Sequence, residues 1–178
     1  MSFSTPPAVD RQTFYASQSA VVVALNKSML SISNGASGKV LKIQNVYIIN
    51  SQVTNIVGNV VQFDLLRTTS ITLGTNVVPT SYDSLNTLPV QVTVATGATV
   101  VDASTSPLHS WILGGDEAGT GTATNQGIDK ALSQFAPNLA AQAMQLPTVR
   151  PGEGIHIKAS VVPAAVGQWL LGVLFTLE

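Results

Sequence analysis

Apolar and polar residues alternate with a period of two over much of the chain, and that period predicts strands. In "SAVVVALNKSMLSIS" Leu30 and Ile32 alternate against Ser31 and Ser33. In "KVLKIQNVYIIN", 39–50, Leu41 and Ile43 alternate against Lys42 and Gln44. There the phase then slips, so that Val46 and Ile48 are apolar with Tyr47 between them. Such a slip marks a bulge or burial on both faces. In 59–68 the period puts Val61, Phe63 and Leu65 on one face and Gln62, Asp64 and Leu66 on the other. In 88–96 it turns Val90, Val92 and Val94 inward, with Pro89 opening the strand, where a missing N–H does least harm. The end of the chain is the clearest. "GIHIKASVV" sets Ile155 and Ile157 against His156 and Lys158. "VGQWLLGVLFTLE" sets Trp169, Leu171, Val173, Phe175 and Leu177 against a second face that is also apolar, which predicts a strand in the middle of a sheet. The short connection "PAAVGQ" between these two predicts a hairpin.

Three stretches break the pattern. Residues 1–15 carry Pro6 and Pro7 and no period, which reads as an extended arm in front of a β-domain over 16–178. Residues 102–127 read as a long loop, with a short strand at "HSWIL". In 128–145, Leu132, Phe135 and Leu139 have near-helical spacing, interrupted by Pro137, which predicts one or two helical turns. Loops of that length inside a domain are functional or disordered; here it forms an insertion over 102–145. About eight short strands with Gly and Pro punctuation predict an all-β fold, a single β-sandwich or barrel. The long, unequal connections favour jelly-roll or Greek-key wiring over a meander. No repeat of fixed period is present.

Composition adds a second layer. Of 178 residues, 45% are hydrophobic and only 10% charged, against roughly 25% charged in ordinary domains. Eight basic and nine acidic residues leave a net charge of −1. So little charge does not keep copies apart, and favours lying against other protein. Nothing basic enough to hold a phosphate backbone is present, so nucleic acid is not an expected partner. No apolar run approaches the roughly 18 residues of a membrane helix, and a membrane is not expected either. Cysteine is absent, which removes disulfides, thiol catalysis and thiolate metal ligands. The opening residues lack the basic and apolar regions of a signal peptide, pointing to a product made in a cytoplasm.

Candidate chemistry is thin. His109 and His156 are far apart and show no H-x-H or H-E-x-x-H spacing; the plain expectation places His109 at a loop edge and His156 on a solvent face. "GGDEAGTG", 114–121, lacks the Lys and helix of a phosphate loop and the spaced oxygen ligands of a calcium loop. Asp64 and Asp83 lie near strands with nothing to unite them. No G-x-S-x-G elbow is present. "RPGEGIHIK" places Pro151 and Gly152 at the centre of a type II turn, a strand start rather than a site. The expectation is no catalytic residue, no cofactor-binding residue, no metal and no cofactor.

Two segments carry a resemblance. In "FDLLRTTSITLGTNVVPTSYDSLNTLPVQVTVATG", 63–97, a strand ends near Arg67, the turn "TLGT" follows, then a D-S-x-N element of Asp83, Ser84 and Asn86, then another strand. With the "RPGEGIHIK…GQWLLGVLFTLE" ending, this resembles small structural proteins of tailed bacteriophages. The two segments cover about a third of the chain, and 102–145 has no counterpart. The resemblance implies a virion component, a head decoration or cement protein without catalytic residues. It would be made in the host cytoplasm and located in the virion, and its partners would be copies of itself, a trimer for preference, and the major capsid protein or other virion proteins. The arm 1–15 and the loop 102–127 are the expected contacts. Two alternatives remain. A coat protein of a small virus is disfavoured by an arm holding only Arg11. A carbohydrate-binding β-sandwich would stack sugar on Trp111 beside His109.

Overall fold

The computed structural model describes residues 11–35, 38–51, 60–114, 133–135 (backbone only), 146–162 and 168–178. Among them are strands and no helix. One sheet is built from β1 (Gln12–Val22), β3 (Leu41–Asn50), β6 (Thr80–Ser81), β10 (Ser133–Phe135), β11 (Thr148–Val149) and β13 (Gln168–Leu177). The other holds β2 (Ser28–Asn34), β4 (Val60–Thr72), β5 (Thr75–Asn76), β7 (Val92–Thr96), β8 (Thr99–Asp102), β9 (His109–Gly114) and β12 (Gly154–Val161). All pairings are antiparallel.

The strand orders β1-β13-β3-β10 and β2-β12-β4-β9 run side by side through the two sheets. Numbered one to eight in chain order, these strands read 1-8-3-6 and 2-7-4-5, which is jelly-roll wiring. The fold class read from the sequence is therefore the one observed. Strand period supplies the core: Phe14, Trp169, Leu171 and Phe175 from the first sheet meet Ile32, Phe63, Leu65 and Ile157 from the second, all buried. Phe63 stands edge-on to Trp169, with ring centroids 5.2 Å apart, and Phe14 stacks on Phe175 at 5.6 Å. The phase slip in β3 is a bulge: Leu174 pairs with Asn45 and Phe175 with Ile43, leaving Gln44 over.

Several details differ from the sequence reading. β1 begins at Gln12, and Gln12–Tyr15 pair with Leu174–Leu177, so the arm ends before Gln12 and its remainder, 1–10, lies outside the described residues. Val90 is exposed: the Val92 N–H donates to the Pro89 carbonyl, so a turn precedes β7 and only Val92 and Val94 face inward. Arg67 sits inside β4, which continues to Thr72. β12 and β13 are not a hairpin. Their apolar faces look at each other across the core, which forces them into opposite sheets; a hairpin would set those faces side by side. The strand expected at "HSWIL" is β9. Of the helical turns expected over 128–145, Ser133–Phe135 are instead a strand on the outer edge of β3, where ladder groups were open; the rest of that stretch, like 115–127, lies outside the described residues.

The P-G-E-G stretch is the turn its residues predict. Gly152 has φ 84° and the Glu153 N–H donates to the Arg150 carbonyl at 2.9 Å. Gly154 then enters β12 where no side chain fits. A Cβ there would lie 2.7 Å from Ile71 Cδ1, 2.9 Å from Thr68 Cγ2 and 3.0 Å from the Ile32 carbonyl oxygen. Gly154→Ala is expected to destabilise by ~1–3 kcal/mol through overpacking, while Ser104→Ala in an exposed loop stays within ~0.5 kcal/mol; urea unfolding of both variants measures the difference.

Candidate functional site

The alternation that turns Ile155 and Ile157 inward turns His156 and Lys158 onto the outer face of the seven-stranded sheet. There β4 runs beside β12, with Leu66 opposite His156 and Asp64 opposite Lys158. β8 pairs with the far part of β4, placing Asp102 opposite Thr68. From there the Asp102 side chain reaches across β4. Its Oδ1 accepts a 2.6 Å hydrogen bond from His156 Nε2 and its Oδ2 a 2.8 Å bond from Lys158 Nζ. Asp64 lies alongside, accepting from the Ser110 hydroxyl at 2.6 Å and from the Gln62 amide at 3.1 Å. Asp102, His156, Lys158 and Asp64 thus form one interacting group of titratable side chains.

His156 is only 1% exposed although it faces away from the core. The expectation of a solvent-facing histidine is corrected: Asp102 bonds the ring from across β4, and Leu66 beside it is buried as well. Burial lowers the imidazole pKa, and the nearby Lys158 charge adds to this, against the opposing pull of Asp102. The ring is therefore neutral at pH 7. Burial alone would raise the Asp102 carboxyl, but hydrogen bonds from Lys158 and His156, and their charges, outweigh it and hold the group below its ordinary value. For Asp64, burial is likewise outweighed by Ser110, Ser160, Gln62 and Lys158. A neutral ring beside an ionised carboxylate carries its proton on Nε2. Nδ1 is then a bare acceptor, buried and without a partner among the described residues.

Chemically, the pair has the orientation of an acid–base dyad but not its access. Nε2 is committed to Asp102, and Nδ1 meets neither solvent nor a donating hydroxyl: the adjacent Ser31 donates to the Ala95 carbonyl at 3.1 Å. What the arrangement does is mechanical. It fastens β8 to β12 over the strand between them. Its signal in the sequence was the outward phase of His156 and Lys158; their partner, some 55 residues away, follows only from the register.

The other residues weighed from the sequence fall elsewhere. His109 starts β9, and partial burial lowers its pKa. Its ring is 4.7 Å from that of Trp111, which is 4% exposed and belongs to the core. Asp83 shapes a turn on the connection between β4 and β7, accepting from the Leu85 N–H at 3.0 Å. Asp116 and Glu117 lie outside the described residues. Among those described, no three His, Asp or Glu side chains gather as a metal site.

The connection 73–91 is the feature that sequence reasoning missed. It leaves β4, adds β5 to the edge of β7, crosses to the other sheet and adds β6 to the edge of β1. This strap exposes Leu73, Val78, Tyr82, Leu85 and Val90, with Leu85 at 88% and Val90 at 84%. Its sequence, rich in Thr, Asn and Pro, masks these single apolar residues.

Acid should destabilise the fold in two steps. The unfolded chain takes up a proton at His156 near pH ~6.5 while the folded ring resists, so stability falls as pH drops through that value toward the folded pKa. Asp102 and Asp64 stay ionised below 3.8 when folded, so a second loss follows as pH falls from there through their folded values. Melting temperatures across pH 3–8 are expected to show both, with the first reduced in His156→Gln. Asp102→Asn is expected to cost ~1–3 kcal/mol at pH 7 by leaving Lys158 and His156 short of an acceptor.

No known protein family, no curated protein and no solved structure matches the chain.

Proposed function

We propose that the protein is a non-enzymatic structural component of a virion, a decoration or cement protein that docks on the head of a tailed phage as a small homo-oligomer. One observation carries the reading: the strap 73–91, fixed to both sheets, holds five large apolar side chains in solvent on a chain with only 10% charged residues. Isolated exposed apolar residues are ordinary. Five on one braced connection favour a surface made to be covered. At roughly 25 cal/mol per Å² of apolar area, many such small contacts repeated over a lattice give tight docking from weak single sites.

Further support comes from the charges themselves. Arg11 and Lys42 pair with Glu178, Arg67 with Glu153 and Lys158 with Asp102, so among the described residues at least four of the chain's eight basic residues are spent within it. This leaves little for a genome and counts against a coat protein that packages nucleic acid. The burial of Trp111 counts against a sugar platform. Jelly rolls occur in capsid and lectin domains alike, so the fold is analogy only; the strap is what favours the capsid reading.

Mixed with tailed-phage heads stripped of accessory proteins, the purified protein is expected to co-sediment in a fixed ratio to the capsid subunit. Leu85→Lys with Val90→Lys should weaken this at least tenfold while leaving the melting temperature unchanged. A protein that binds no part of a virion, or whose binding ignores both substitutions, sinks the proposal.

A further inference from the structure

The edges of the two sheets are filled unequally. The outer edge of β4 carries both β8 and β9, and that of β3 carries β10 and β11. β1 has β6 on its outer edge only at Phe14 and Tyr15, with the Tyr82 N–H donating to the Thr13 carbonyl at 3.0 Å. From Ala16 to Val22 no described strand lies on that edge. Ladder groups alternate in direction along a strand, so the N–H and C=O of Ser17 point the same way as those of Thr13, outward and past the end of β6, with no strand beside them among the described residues. In front of them is an open groove of about 360 Å³ between the sheets, walled by Gln18, Ala20 and Val22 on one side and Thr75 and Thr96 on the other.

One wall, and the chain leading into the other, hold backbone in the left-handed region at residues other than glycine. Ala20 has φ 55° and lies where β1 loses register with β13, between Gln18 and Val21; Leu73, two residues before Thr75, has φ 62°. Such conformations cost energy and gather where a structure shapes a clamp for a ligand. An unpaired strand edge facing a concave wall is the geometry that takes an added strand.

We propose that this groove receives residues 1–10 of a second copy of the chain, laid along β1 as an extra strand. An extended segment is what the open ladder groups recognise. No charged side chain lines the groove, and residues 1–9 carry none. The five residues before Pro6 retain their N–H groups and span ~17 Å when extended, which matches the edge from Ser17 to Val22, where an incoming strand would take the place of the exposed Gln18 amide that bonds the Ser19 carbonyl at 3.2 Å. A chain's own arm leaves from Gln12, and β6 occupies the edge at Phe14 and Tyr15 directly in its path, with the groove some 20 Å along the strand. An arm from a neighbour meets no such obstacle. The inference goes beyond capsid docking, because it concerns copies of this chain alone.

The absence of native cysteine allows a direct test with full-length protein. Ser4→Cys chains mixed with Ser19→Cys chains under mild oxidation are expected to form the mixed disulfide at least tenfold faster than Ser4→Cys mixed with Ser104→Cys, whose new thiol sits in an exposed loop away from the groove. Thr75→Arg, which puts bulk and charge on the exposed far wall, should remove that advantage and reduce the oligomer seen by light scattering to monomer with an unchanged melting temperature. A rate equal to the Ser104→Cys control overturns the proposal, as does a full-length protein that is monomeric at all concentrations. A Ser4→Cys/Ser19→Cys double variant that links only within itself overturns the second-copy assignment. No capsid is present in any arm, so failure here is distinct from failure to bind heads.

Discussion

Everything in this molecule depends on two apolar sheet faces having to cover each other. Each principal strand has a period of two and offers one apolar side, and in water such a face is stable only against another. Phe63 and Trp169, one from each sheet, meet edge to face at the centre of that contact. The requirement explains the wiring. Strands adjacent in the chain, such as β12 and β13, are sent to opposite sheets because their inward residues are each other's cover. The connections between strands therefore run over the ends and edges of the sandwich, and on the outside the protein has freedom to vary.

That freedom is used differently on the two sides of β4. Along β12 the outward residues are tied down: Asp102 reaches over β4 to His156 and Lys158, burying an imidazole on a face that would otherwise be wet. A buried acceptor left without a donor costs about 1–3 kcal/mol, and here the cost is offset by two short charge-assisted bonds and the burial of Leu66. The cluster holds the β8–β9 segment along the full length of β4 and so closes that edge of the sandwich. At the opposite edge, closure is left to the strap. It fastens with two-residue strands, β5 and β6, and keeps its larger apolar side chains outside.

Edge closure and charge poverty point the same way. Ion pairs inside the chain consume charges that elsewhere keep proteins apart, and large apolar side chains such as Leu73, Leu85 and Val90 stand exposed. Among the described residues, β8 and β9 line the edge of β4, while β1 beyond Tyr15 borders a groove with no strand beside it. Natural sheets blunt such an edge with charge, a bulge or a covering loop; β1 has a bulge between Gln18 and Val21 and is covered by β6 at Phe14 and Tyr15. The two edges are therefore built differently, one lined by long strand segments and the other by two-residue strands.

The sequence by itself determined the class of fold, the inward residues of β2, β4, β12 and β13, the phase slip in β3 and the turn at Pro151 and Gly152. All of these are set within a few residues, by side-chain alternation and by backbone preference. Tertiary structure alone decided the rest. Whether two neighbouring strands pair or face each other, as with β12 and β13, depends on what covers them, and the local pattern is the same in both cases. Asp102 finds His156 only through the register of β8 on β4 and of β4 on β12, so an outward histidine that reads as solvated becomes one of the most buried side chains. The exposure of Val90 and the reach of β1 back to Gln12 were likewise fixed by partners distant in the chain, because a hydrogen-bond ladder extends as far as its neighbour does and no further.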